Sequence, residues 1–196
     1  MENIKVLLIN VSPARDTISP GIDKRAIEYF RSRDVIGVEG GDQRHEPNNG
    51  LLFIGNALLK GKFGVEYLDI NAKEVKYFSE TGKYFSRQQI NETLDVKIND
   101  IRFALISCLT PGVNNGFEIA NYIKSRNPNC IIMFGGIFPT LNPNYCIEKC
   151  KSVDVVVVGE GEIIIPKIIK AYIGNDFSAL QSAGFILLPG CNLITR

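Results

Sequence analysis

Short continuous apolar runs alternate along this chain with stretches whose apolar residues recur every three to four positions. The runs at 5–9 (KVLLI), 65–70 (VEYLDI), 103–107, 130–134 and 153–158 predict strands, and the β-branched and leucine-rich ones suit burial on both faces. Between them, 50–60 carries Leu51, Ile54, Leu58 and Leu59 at the spacing of one helical stripe. Residues 87–99 place Ile90, Leu94 and Ile98 at four-residue steps, and 113–125 gather Phe117, Ala120, Tyr122 and Ile123 on or near one face. Residues 142–151 predict a short helix and 162–173 another.

Five strand–helix units in succession predict an α/β fold, a doubly wound, five-stranded parallel sheet with right-handed crossovers. The flavodoxin-like order 2-1-3-4-5 puts the topological switch point beside Asn10 and Ser107. Residues 184–188 read as one more strand. Two segments exceed a minimal domain. Residues 11–49 form a long insertion after the first strand, with Pro13, Pro20 and Pro47 and a possible helix at 23–33. Loops of that length are uncommon unless functional or disordered, so a lid or partner-docking role stands beside a plain insertion. Residues 71–86, rich in Lys, Tyr and Phe, suggest a small hairpin. The expected organisation is one domain over 1–175, with 176–196 a linker or the start of a following domain.

Composition narrows the function classes. The 196 residues carry 22 Lys plus Arg against 21 Asp plus Glu, a net charge of +1, so no electrostatic footprint for nucleic acid exists. No apolar run approaches the ~20 residues that cross a bilayer, and the start lacks a signal-peptide pattern, so no membrane is implied and the expected compartment is cytoplasmic. The five cysteines (Cys108, Cys130, Cys146, Cys150 and Cys191) are scattered without a disulfide framework, which suits a reducing compartment. Cys146 and Cys150 share a helix face at four-residue spacing. With no second ligand pair nearby, two half-buried thiols are favoured over a metal site.

Three short strings follow predicted strands and therefore lie at the carboxyl edge of the sheet, where such folds bind ligands. They are Ser107-Cys108-Leu109 (with Thr110 next), Gly135-Gly136 and Gly159-Glu160-Gly161-Glu162. After the first strand stands Asn10-Val11-Ser12-Pro13, which is not a flavin phosphate loop, a receiver-type acidic pair or a Gly-x-Gly-x-x-Gly turn. No Gly-Lys-Ser/Thr loop occurs. What remains is small residues: a Ser107 hydroxyl that donates and accepts, and glycines that let a bulky group approach the backbone. Glu160 and Glu162 also fit a plain helix cap that answers the dipole and needs no ligand.

The Ser-x-Leu and Gly-Gly strings at this separation resemble the fingerprint of cobalamin-binding domains, specifically those found ahead of radical S-adenosylmethionine domains. Residues 5–10 (KVLLIN), 135–140 (GGIFPT) with Asn142-Pro143, and 154–162 (DVVVVGEGE) carry the resemblance further. The resemblance implies that Ser107 and Leu109 face the dimethylbenzimidazole tail and Gly135 and Gly136 flank it. It further implies that Phe138, Pro139, Thr140, Gly159, Glu160, Gly161 and Glu162 line the edge near the tail or corrin. The family's Asp-x-His-x-x-Gly lower-ligand motif is absent here. The sole histidine, His45, reads as a solvated loop residue more readily than as a distant lower ligand. The implied cofactor is therefore base-off cobalamin with no protein histidine on cobalt, and no catalytic residue is assigned. The family's Cys-x-x-x-Cys-x-x-Cys cluster motif is missing too. The resemblance thus implies a module that serves methyl transfer or a related radical reaction through a partner radical S-adenosylmethionine domain, in cis or in trans. That missing domain would hold the S-adenosylmethionine and the iron–sulfur cluster. The alternative is a non-catalytic interaction domain of the same fold that has lost the cofactor.

Overall fold

The computed structural model describes residues 4–12, 48–178 and 185–187. The insertion read at 11–49, its possible helix at 23–33 and His45 lie, from residue 13 to residue 47, outside the described residues, as does Cys191. In chain order the elements are β1 (Lys5–Asn10), α1 (Asn49–Lys60), β2 (Gly64–Asp69), α2 (Ile70–Thr81), α3 (Arg87–Ile98) and β3 (Phe103–Ser107). There follow α4 (Val113–Arg126), β4 (Ile131–Gly135), α5 (Ile137–Leu141), α6 (Pro143–Lys149), β5 (Val155–Val157), α7 (Gly161–Gly174) and β6 (Phe185–Leu187).

The strands form one sheet in the order β2-β1-β3-β4-β5-β6. The first five are parallel in the expected order 2-1-3-4-5, and β6 adds to the edge antiparallel to β5. Strand alternation divides the core in two. Leu7, Ile9, Ala104, Ile106, Ile132 and Phe134 face α3, α4 and α6. Val6, Leu8, Phe103, Leu105, Met133, Val155 and Val157 face α1 and α7. Both sheet faces are covered, which is why the strands read as unbroken apolar runs.

The hairpin expected over residues 71–86 is instead the helix α2 with a short coil after it. The Asp69 carboxylate caps it by accepting the Ala72 N–H at 2.8 Å, and Gly82, in the left-handed region at φ 67°, ends it. The aromatic residues that resembled strand positions pair by ring contact across the turn, Tyr77 with Phe85 and Phe78 with Tyr84.

Candidate functional site

The parallel register places four residues in one row across the carboxyl edge: Asp69 of β2, Asn10 of β1, Ser107 of β3 and Gly135 of β4. Asn10, Ser107 and Gly135 each lie two residues beyond a position that faces α1 and α7, so this part of the row opens towards that pair of helices. There the sheet edge and the two helices enclose a cavity of about 470 Å³, within the ~300–1,000 Å³ typical of small-molecule sites. Its floor is apolar, from Leu51 and Ile54 of α1, Leu105, Met133 and Val157 of the sheet, and Ile165 of α7. Its polar groups are few: the Asn48 amide, the Ser107 hydroxyl, Thr140, and the Glu160 and Glu162 carboxylates around the start of α7.

The glycines expected to admit a ligand differ in what they do. A Cβ on Gly135 would meet only Val157, at 3.9 Å, so Gly135 presents bare backbone to open space. Gly136, at φ 105°, instead serves the backbone: a Cβ there would lie 2.7 Å from the Cys108 carbonyl oxygen and 3.2 Å from Ser107 Oγ. Gly159 has φ 83° and open space around it, and its N–H donates to Thr140 Oγ1 at 3.2 Å, tying α5 to the turn before α7. Gly161 lets α1 approach α7, since its Cβ would fall 2.8 Å from Ile54 Cδ1.

Of the residues singled out from the sequence, Ser107, Leu109, Gly135, Gly136, Thr140, Gly159, Glu160, Gly161 and Glu162 line this one cavity. Thr110, Phe138 and Pro139 do not. Thr110 opens a 3₁₀ turn before α4, Pro139 is buried within α5, and the Phe138 ring packs on the core and against Tyr145 at 5.8 Å. Glu160 stands at the N-cap of α7 without a side-chain capping bond, and Glu162 lies in its first turn.

Sequence reasoning missed Asn48. It caps α1, accepting the Leu51 N–H at 3.1 Å, while its Nδ2 donates to Asn10 Oδ1 at 3.1 Å and Ser107 Oγ at 3.0 Å. Asn10 Nδ2 in turn donates to Asp69 Oδ1 at 3.0 Å, and the Tyr67 hydroxyl donates to Asp69 Oδ2 at 2.8 Å. An Asn directly ahead of the apolar stripe of α1 is the sequence signal that could have found it.

The cysteines behave as core residues. Cys108, Cys130, Cys146 and Cys150 are buried free thiols. Burial pushes Cys130 up to about 12 and Cys146 up to about 11, and raises Cys108 and Cys150 as well. Among the described residues no cluster of three or more His, Cys, Asp or Glu side chains could hold a metal ion. Among them also, no helix is long and apolar enough to cross a membrane.

Comparison with known proteins bears on the same stretch of chain. The family model described as the B12 binding domain matches residues 43–169, well over half of the chain. An anaerobic magnesium-protoporphyrin IX monomethyl ester cyclase of Synechocystis is 35% identical over 65 residues, which cover 33% of this chain and 13% of that protein. The enzyme of the same name from Cereibacter sphaeroides is 27% identical over 114 residues, 57% of this chain and 18% of its own length. An uncharacterized methyltransferase of Pyrococcus horikoshii is 29% identical over 137 residues, 70% of this chain and 26% of that protein. The matched segments thus span about a quarter or less of these relatives.

Proposed function

The chain belongs to the B12-binding domain family, and from that premise we propose that it holds cobalamin at the β3–β4–β5 edge and positions it for a radical S-adenosylmethionine-type enzyme. The observation that carries the reading is the cavity itself. Ser107, Gly135 and the Gly159–Glu162 turn, far apart in sequence, converge on one space with an apolar floor. Leu51, Leu105, Met133 and Ile165 would exclude water from a flat apolar base. The Ser107 hydroxyl would orient it, and the bare backbone at Gly135 would let it lie close to the sheet. The α7 N-terminus offers unpaired N–H groups, but Glu160 and Glu162 already answer its dipole. That end suits a neutral amide or hydroxyl of the ligand better than a phosphate.

When bound, the cofactor supplies cobalt-centred methyl transfer or related radical chemistry, and the protein supplies binding and orientation. The Asp-x-His-x-x-Gly motif is absent from the sequence, so in this reading the cofactor is held base-off without a protein histidine on cobalt. S-adenosylmethionine and an iron–sulfur cluster belong to a partner domain, in cis or in trans, because no Cys-x-x-x-Cys-x-x-Cys string occurs in these 196 residues. The methyltransferase among the relatives supports methyl transfer as the reaction served. Incubation with hydroxocobalamin under anaerobic, reducing conditions followed by desalting tests the reading. Corrin absorbance should travel with the protein at close to one equivalent. Protein that emerges free of corrin would refute it.

A further inference from the structure

The charge around the cavity is of one sign. Among the residues that line it there is no Lys, Arg or His, and the only ionisable side chains are Glu160 and Glu162. Other acids of the chain meet a cation: Glu66 pairs with Lys97 at 2.7 Å, Asp154 with Lys124 at 2.9 Å and Asp95 with Arg126 at 3.3 Å. Among the described residues, Glu160 and Glu162 meet none. Glu160 occupies the N-cap of α7 without the capping bond that this position usually makes, so its carboxylate is not turned back on the helix. The first-turn N–H groups of α7 have no acceptor within the helix. Donors and acceptors therefore stand side by side at the mouth. The turn that carries them is tied down, because the Gly159 N–H donates to Thr140 Oγ1. Exposed apolar side chains, Leu109, Ile137 and Leu141, rim the same opening. A ligand that covers them shuts the carboxylates away from water, where charge is screened less than on an open surface.

We propose that Glu160 and Glu162 make the site select a ligand whose edge carries primary carboxamides over the same ligand with a carboxylate in that place. The proposal rests on the cobalamin reading and concerns the rim of the corrin, not its nucleotide. A primary amide gives its N–H hydrogens to a Glu carboxylate and takes an α7 N–H on its carbonyl oxygen, so both of its halves are matched. A carboxylate of nearly the same shape has no hydrogen to give. It also brings a third negative charge to a mouth without a cation. The bare start of a helix attracts anions, and the two glutamates reverse that preference here.

Hydroxocobalamin and its monocarboxylic acids test this. Mild acid hydrolysis converts one side-chain amide per molecule into a carboxylate, and each separated isomer differs from the parent in that group alone. Dissociation constants are measured on the whole chain by spectroscopic titration at neutral pH and low salt. At least one isomer should bind the wild-type protein about tenfold more weakly than the parent, the size of one hydrogen bond to a charged group. In the double variant Glu160→Gln with Glu162→Gln the repulsion is gone while the mouth stays polar, so that ratio should fall to near one. A role confined to the start of the helix would lower the urea midpoint of the double variant and leave the ratio at its wild-type value. Isomers that all bind as tightly as the parent, or a ratio unchanged in the double variant, overturn the proposal and leave the cobalamin reading standing. A wild-type chain that binds neither the parent nor any isomer overturns both.

Discussion

Adjacent glycines at the end of β4 have opposite jobs, and single substitutions separate them. Gly135→Leu adds a side chain where only Val157 stands near, at 3.9 Å, so it should fill the cavity while thermal unfolding moves by no more than about 1 kcal/mol. Gly136→Ala forces an L-residue to φ 105° and a methyl group to 2.7 Å from a carbonyl oxygen. That should cost about 2–4 kcal/mol in urea unfolding, with or without ligand. The buried thiols make a second prediction at this scale. Burial raises all four above their ordinary value of 9, to about 11 for Cys146 and about 12 for Cys130. Above pH 9 the unfolded chain therefore loses thiol protons that the folded chain keeps, and stability falls as pH rises through about 9–12. Denaturant midpoints across that range should decline, and the decline should shrink in Cys130→Ala. That Ser107 and the glycines line one cavity was legible because small side chains straight after a buried strand leave the backbone open at the sheet's ligand edge. Their division of labour was not, because it depends on which backbone atoms lie opposite.

At the scale of elements, periodicity located every described strand to within about two residues, because strands covered on both faces must be apolar throughout. It failed at α2. Aromatic and Lys residues there suggested a hairpin, whereas the decision rests with the Asp69 cap and the Gly82 terminator at its two ends. It also passed over α5, five residues that hold Thr140 against Gly159. The contact of α4 with the sheet offers a test of how tightly these layers are set. Gly116 lies where a Cβ would fall 2.4 Å from Cys108 Sγ and 2.6 Å from Phe134 Cζ. Gly116→Ala should therefore destabilise by about 1–3 kcal/mol, read as a lower urea midpoint at unchanged slope. Because Cys108 follows Ser107 directly, the same shift should weaken ligand binding, unlike a surface change of equal cost elsewhere.

For the molecule as a whole, the register of the parallel sheet converts distant strings into one site. Asp69, Asn10, Ser107 and Gly135 stand in a row only because four strands end level, and α1 and α7 flank the cavity at its Ser107 and Gly135 end. The edge and three of its strings were readable from residue type and spacing. Asn48 was hidden, because its importance lies in joining the cap of a helix to the ends of two strands. Whether cobalamin occupies this cavity is decided by a spectroscopic titration of hydroxocobalamin into wild type and Gly135→Leu, matched for unfolding midpoint. Saturable one-to-one binding is expected for wild type, and its loss for Gly135→Leu. Absence of binding to the wild-type chain, or equal binding to both proteins, would contradict cobalamin binding at the β3–β4–β5 edge.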